Sequence, residues 1–322
     1  MAVPHRGGTV PIVRGIDMTL RAGECIGIVG ESGCGKSITW LAALRLLGGK
    51  AVVSGQAWLA GADLVSMSDR AIAGVRGRKI AVIFQDPTAC LNPIQRIGQQ
   101  LGEALALHRG LSGSAATAEA KRLLDRVGIG DAPRRLRQYP HELSGGMNQR
   151  VMIAIALAGN PEVLVADEPT TALDATIQAQ ILDLLREIRR ETGMALVLIS
   201  HDLGAVADIC DRIAVMYAGR FVETGPAAGI LSRPQHPYTR GLLSALPDLE
   251  GPRARLISIP GMVPPPGSVM SGCSFAPRCD RATAHCHQHV PPLFPTNSHG
   301  QVACWHAGSF DSPPGEVAGA VR

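Results

Sequence analysis

Aromatic side chains are scarce in this chain: three Trp, three Tyr and five Phe in 322 residues, 3% of the total. Proteins that grip single-stranded nucleic acid stack its bases on such rings, so no nucleic-acid partner is expected. Charge points the same way, because 31 Lys and Arg against 27 Asp and Glu leave only +4, scattered rather than clustered. Long apolar runs are also missing. The longest, Val151 to Ala158, is far short of the roughly 20 residues a membrane-crossing helix needs. Residues 1–20 hold no continuous apolar core of the kind a secretory signal carries. No internal repeat and no long coiled-coil insertion is visible. The chain is therefore expected to be soluble or peripheral, and any membrane role requires partners that span. What the sequence does have is 46% hydrophobic residues, enough for a substantial core, and a length that suggests about two units of unequal size.

The most informative stretch is Gly30-Glu31-Ser32-Gly33-Cys34-Gly35-Lys36-Ser37, which fits G-x-x-x-x-G-K-[ST], a phosphate-cradling loop. The apolar run Cys25–Val29 before it reads as a buried strand. Residues Ile38 to Leu47 after it read as a helix, with Leu41, Leu44 and Leu47 at helical spacing. In that setting the glycines let successive N–H groups face an anion at a helix N-terminus. Lys36 can reach β- and γ-phosphates, and the Ser37 hydroxyl can ligate Mg²⁺. The motif in its context implies a nucleoside triphosphate site.

Along the rest of the chain, Thr9 to Leu20 alternates as a strand pair would, and Val52 to Leu59 and Lys79 to Phe84 read as strands. From about Ile94 to Val127 the pattern becomes helical, with Ile94, Ile97, Leu101 and Leu105 on one face and a second helix over Ala118 to Val127. Val151 to Ala158 is apolar on nearly all sides and reads as a buried helix. Strands return at Val163–Ala166 and Ala195–Ile199, separated by a helical stripe of Ile177, Ile181, Leu184, Leu185 and Ile188. Ile213–Tyr217 and Arg220–Thr224, joined by Ala218-Gly219, read as a hairpin. This alternation implies an α/β core with a helical section inserted between its halves. From Pro234 onward proline and cysteine become dense, marking an appendage.

A strand ending in two carboxylates, Val163 to Glu168, supplies a second phosphate-handling element. Asp167 is suited to hold Mg²⁺ through water, and Glu168 to orient and polarise an attacking water. A glycine-rich turn at Leu143-Ser144-Gly145-Gly146 opens another helix and offers another anion site by the same dipole argument. Because it belongs to the helical insert, its economical use is to close over a triphosphate held by a second molecule.

Taken together these residues resemble the ATP-binding subunit of an ABC transporter. The resemblance is carried by GESGCGKS at 30–37, Gln85 within Ile83-Phe84-Gln85-Asp86-Pro87, LSGGMNQ at 143–149, VADEPTTALD at 165–174 and His201 within Ile199-Ser200-His201-Asp202. It implies a P-loop ABC ATPase fold, a mixed sheet flanked by helices, over residues 1–233, with a helical insert at about 88–158 and a small extension at 234–322. It also implies that Lys36 and the loop amides bind the phosphates of ATP, that Ser37 and Gln85 coordinate Mg²⁺, that Glu168 is the catalytic carboxylate and that His201 contacts the γ-phosphate. Leu173 and Asp174 would lie at a dimer seam, with Ser144, Gly145 and Gly146 completing the partner's site. The implied partners are a second ABC ATPase subunit (a copy or a related chain), two transmembrane permease subunits and, indirectly, an extracellular solute-binding protein. The implied location is the cytoplasmic face of the inner membrane. A soluble ABC ATPase acting in a multi-enzyme or nucleic-acid complex is the alternative.

A closer resemblance, to the oligopeptide/dipeptide/nickel importer branch, is carried by FQDPTACLNP at 84–93, Met147, His236-Pro237-Tyr238-Thr239-Arg240 and the tail from Gly272 to Trp305. Thr88, Ala89 and Cys90 depart from that branch's usual segment. Four of the eight cysteines lie in the tail, spaced C-x5-C-x6-C-x17-C at Cys273, Cys279, Cys286 and Cys304. Spacing alone leaves metal, free thiols and a cluster open, and His285, His287 and His289 stand close enough in sequence to substitute as ligands. The resemblance implies a 4Fe–4S cluster for some members of the branch. The 29 residues before Gly30 contain no Phe, Tyr or Trp, although relatives usually stack an aromatic residue on adenine there, which leaves His5 as the nearest substitute.

Overall fold

A computed structural model of the chain describes residues 1–5, 8–48, 51–171, 173–245, 259–265, 267–268, 270–296 and 299–308. Packing divides it into two units, Met1–Met18 with Ile26–Gly55 and Ser200–Arg322, and Thr19–Cys25 with Gln56–Ile199.

In the first unit the strand Cys25–Val29 is buried along its whole length. It runs parallel to the strand Arg212–Tyr217, with Ile26 opposite Arg212 and Val29 opposite Val215. Cover on both faces is why its sequence is unbroken apolar rather than alternating. The expected hairpin is present. Tyr217 pairs with Arg220 across Ala218 and Gly219, both at positive φ (44° and 82°), the handedness a two-residue turn needs to match strand twist. The second arm, Arg220–Pro226, then takes the short strand Gln301–Val302 on its free edge, and Phe294–Pro295 pairs with that strand in turn. The cysteine-bearing region thus extends the sheet of this unit.

In the second unit the strands Ile80–Ile83, Val163–Asp167 and Ala195–Ser200 are parallel neighbours in that order. The insert carries helices Ile97–Arg109, Gly113–Arg126 and Gly145–Leu157. Ile97, Leu101, Leu105, Leu123 and Leu124 are each fully buried, and each such side chain contributes about 1.5–3 kcal/mol by leaving water. The helix Ala175–Thr192 buries Ile181, Leu184, Leu185 and Ile188 and presents its other face outward. Among the described residues no helix is long and apolar enough to cross a membrane.

Several local expectations are corrected. The strand pair placed in Thr9–Leu20 is instead Ala2–His5 against Gly8–Pro11. The amides of Ile12, Val13 and Arg14 bond to the carbonyls of Met1 and Gly219 rather than to a neighbouring strand. The first helix is Lys36–Ala43, shorter than expected, because Leu44 caps it and Arg45 turns to φ 53°. Leu44 is nonetheless buried. Of Val52–Leu59 only Trp58–Leu59 is a strand, paired with Ala62–Asp63, while Val52 makes a lone bridge to Ala2. Ile94 precedes its helix and is 83% exposed, so it does not share the buried face of Ile97.

Candidate nucleotide site

In the first unit the phosphate loop leaves the end of the strand Cys25–Val29 and enters the helix Lys36–Ala43, whose N-terminus has no side-chain cap. Gly30 sits at φ 155°, and a Cβ there would lie 2.2 Å from the carbonyl oxygen of Met216, a backbone atom that cannot step aside. Gly35, at φ 111°, would meet the Met216 methyl at 2.8 Å. The loop therefore packs on the end of the strand Arg212–Tyr217, with no room for a side chain at Gly30 and room at Gly35 only if the Met216 side chain shifts. The carbonyl of Cys34 accepts the Gly219 N–H at 2.8 Å, which ties the loop to the hairpin turn as well.

Lys36 is 5% exposed, and its ammonium donates to the carbonyls of Gly30 (2.7 Å) and Glu31 (3.2 Å). A buried ammonium needs such partners, and they hold it over the loop, where an arriving phosphate offers it stronger acceptors. Ser37 is the second residue of the helix. Burial pushes the Cys34 thiol up, against a smaller opposing pull from Lys36. His201 is exposed directly after the strand Ala195–Ser200, and Asp202 behind it caps the helix Leu203–Ile209 by accepting from Gly204 and Ala205. His5 falls in the strand Ala2–His5, but its side chain lies outside the described residues.

In the second unit Asp167 ends the strand Val163–Asp167 and Glu168 turns out of it at φ 47°. The Glu168 N–H is held by the Ile199 carbonyl at 2.9 Å. One oxygen of its carboxylate, Oε2, accepts from Gln85 Nε2 and from Thr171 Oγ1, both at 3.0 Å. Two residues singled out separately in the sequence, Gln85 and Glu168, are thus in direct contact. Thr171 joins them, and its place three residues after Glu168 was the available signal. Ser144 caps the helix Gly145–Leu157, its hydroxyl accepting from Met147 N. Ser144 and Gly145 are exposed. A Cβ on Gly146 would approach Ile177 Cγ2 to 2.9 Å, so the glycine turn packs closely on the start of the helix Ala175–Thr192. The N-cap of that helix is Asp174, which accepts from Ile177 N at 2.9 Å.

The tail cysteines also converge. Cys273, Cys279, Cys286 and Cys304 line one small pocket, with Pro237, Phe275, Ala276, Pro291 and Trp305 as its apolar wall. None of the eight cysteines is in a disulfide. Burial raises Cys273 and Cys279 and pushes Cys304 up to about 11. His306, not anticipated from spacing, has its ring 3.5 Å from Cys286 Sγ, and its backbone N–H donates to Cys304 Sγ at 3.4 Å. His285, His287 and His289 are exposed. Among the described residues no group of three or more His, Cys, Asp or Glu is placed to hold a single metal ion. The four thiols thus line one cavity.

The chain is similar to known proteins. The ABC transporter family model matches residues 13–171. The model for the C-terminal region of oligopeptide/dipeptide transporters matches residues 222–286. A Brucella melitensis protein named for peptide import and ATP binding is 47% identical over 312 residues, 93% of this chain and 92% of the relative. A Brucella abortus protein of the same naming is 51% identical over 292 residues, 88% and 86% of the two chains. Among solved structures, an ATP-binding cassette captured as a dimer after hydrolysis, bound to ADP and phosphate, superposes with TM-score 0.63 at 26% identity, covering 70% of this chain and 95% of that one. A part of an ABC transporter complex from Clostridium perfringens gives TM-score 0.61 at 28% identity, covering 71% and 87%. With the phosphate loop, the paired Gln85 and Glu168 and the glycine turn at Ser144 in place, this chain belongs to the ABC transporter ATP-binding family, in its oligopeptide/dipeptide branch.

Proposed function

We propose that this chain is the ATP-hydrolysing subunit that energises import of peptides, or of similar small solutes, through transmembrane partner subunits. The observation that carries the reading is Lys36, buried and bonded to two loop carbonyls that a phosphate can replace. The names of the Brucella relatives support the solute class and favour transport over a soluble ATPase complex.

In this reading the amides of Gly30 to Ser37 and the Lys36 ammonium hold the β- and γ-phosphates of ATP. Mg²⁺, when bound by Ser37, Gln85 and (through water) Asp167, neutralises phosphate charge. Glu168 orients the attacking water and takes its proton, while Gln85 and Thr171 fix the carboxylate's direction beforehand. His201 contacts the γ-phosphate. Ser144, Gly145 and Gly146 complete the site of a second ATPase subunit, a copy or a related chain. Two permease subunits and an extracellular binding protein complete the assembly, with this subunit peripheral on the cytoplasmic face of the inner membrane. Residues 1–233 form the ATP-binding domain and 234–322 the extension, where Cys273, Cys279, Cys286 and Cys304 would hold a 4Fe–4S cluster. That cluster would show as visible absorbance in anaerobically purified protein, lost when Cys304 is replaced by Ala.

The decisive test is Glu168→Gln in the assembled transporter. ATP turnover should fall at least about 100-fold while ATP·Mg²⁺ binding is retained. Full turnover in the variant overturns the assignment.

A further inference from the structure

The phosphate loop is gripped from outside the motif. Glu31, the second residue of the loop, is held at all three of its polar groups. Its carboxylate takes both arms of the Arg278 guanidinium, at 2.7 and 3.0 Å. Its N–H donates to Tyr238 Oη at 2.8 Å. Its carbonyl accepts from Lys36, the phosphate-binding lysine. Nothing in the motif requires a carboxylate at this position, and Arg278 lies 247 positions further along the chain.

Arg278 is itself immobilised. Its side chain is 4% exposed, Nε donates to the Pro260 carbonyl at 2.8 Å, and Nη2 also reaches the Ile259 carbonyl. The guanidinium lies 5.8 Å over the rings of Tyr217 and Phe275, and Tyr217, Tyr238 and Phe275 pack on one another with ring centroids 4.6–5.5 Å apart. Tyr217 ends the strand that neighbours Cys25–Val29, so the cluster is founded on the sheet that launches the phosphate loop. Arg278 closes a single turn of 3-10 helix, Ala276–Arg278. The Ala276 N–H donates to the Cys273 carbonyl and the Cys279 N–H to the Ala276 carbonyl. The turn that places the guanidinium is therefore tied at both ends to cysteines that line the thiol pocket.

We propose that Arg278 and Tyr238 are positioning residues of the phosphate loop, through which the cysteine-bearing extension sets the affinity for nucleotide. The fork from Arg278 fixes the Glu31 side chain, Tyr238 fixes its peptide, and together they fix the two carbonyls on which Lys36 waits. A shift of the Ala276–Arg278 turn, such as a change of state in the thiol pocket would impose, moves Glu31 and with it the grip on phosphate. Neither residue touches the reacting atoms, so the effect falls on binding rather than on turnover. The inference rests on the ATPase reading above.

The test measures ATP·Mg²⁺ affinity by equilibrium titration of the full chain, and KM and kcat in the assembled transporter. Arg278→Met should weaken binding about tenfold, the loss expected for one charge-assisted bond, with kcat at saturating ATP within about twofold of wild type. Arg278→Lys keeps the charge without the fork and should fall between the two. Tyr238→Phe, which keeps the ring, should weaken binding a few-fold. Should Arg278→Met not fold, Tyr238→Phe and Glu31→Gln carry the test, since Glu31 is part-exposed and its change leaves the extension intact. Where Arg278→Met does fold, its combination with Glu31→Gln should be no weaker in binding than the worse single variant. Variants that bind ATP as tightly as wild type, or a double variant whose losses multiply, overturn the latch. A wild-type chain that fails to bind ATP·Mg²⁺ overturns the ATPase reading and the latch with it.

Discussion

The phosphate loop and the cysteine-bearing extension belong to one unit of the molecule, yet they are specified in opposite ways. The loop is made by eight consecutive residues, and its chemistry is that of their own amides, one ammonium and one hydroxyl. The extension is made by residues drawn from across nearly 70 positions, with Tyr238, Phe275, Arg278 and Cys304 meeting only after folding. A site of the first kind tolerates a changing neighbourhood, because its geometry is local. One of the second kind depends on every segment that frames it. Where the two meet, at Glu31, the local motif acquires a non-local support.

The largest expected effect would test whether the extension is a cooperative part of its unit. Phe275 is 4% exposed and touches Tyr217, Tyr238 and His236 with centroids at 5.3–5.7 Å. Phe275→Ala should destabilise the chain by about 3–5 kcal/mol, as removal of a buried ring typically does. Because Gln301–Val302 is paired to Arg220–Pro226, we expect the loss as a lower midpoint of the transition that also abolishes nucleotide binding. A separate early transition in denaturant melts, with ATP binding preserved beyond it, would instead make the extension an independent body.

The next effect starts in the loop. Gly30→Ala puts a methyl 2.2 Å from a backbone oxygen at a φ that L-residues avoid. ATP affinity should fall by about 100-fold or more, and the melting midpoint should drop as well, because Gly30 is buried against the backbone of Met216. Near-normal affinity would mean that the observed loop path is not the one that binds phosphate.

These two cases also mark what was legible beforehand. Gly30, Lys36, Glu168 and Ser144 fall at strand and helix ends, as expected from sequence, because a glycine-rich turn or a carboxylate pair next to an apolar run marks such an end. The buried faces of Ile97–Arg109 and Ala175–Thr192 were legible through their periodicity. Ile94 misled because periodicity does not say where a helix begins, and Gln95 and the N-cap Arg96 stand between it and the first helical residue, Ile97. The stretch Thr9–Leu20 misled because alternation is silent on which backbone groups will be claimed by Met1 and Gly219. Arg278 and His306 were invisible for a different reason. A guanidinium or imidazole far along the chain carries no local mark of the carboxylate or thiol it will meet.

The smallest expected effect would sharpen the contrast by titration. His236 is 1% exposed, and its Nδ1 accepts the Tyr238 N–H at 3.0 Å. Burial pushes its pKa down from 6.5 to about 3. The folded chain therefore keeps this ring neutral at pH values where the unfolded chain protonates it. Its contribution to stability is complete above pH 6.5 and is lost as pH falls from there toward 3, by about 1.4 kcal/mol per pH unit. Glu223 accepts the Gln235 and His236 N–H groups, and burial raises its pKa, so across part of the same window it acts with the opposite sign. His236→Asn separates the two, since an amide oxygen can accept the Tyr238 N–H and does not titrate. The variant should lose less stability than wild type between pH 6.5 and pH 5 in chemical denaturation, with the two curves parallel above pH 7.5. Equal slopes in the acid range would mean that the ring is already open to water, and the packing that holds Tyr238 against Glu31 would then be looser than its geometry implies.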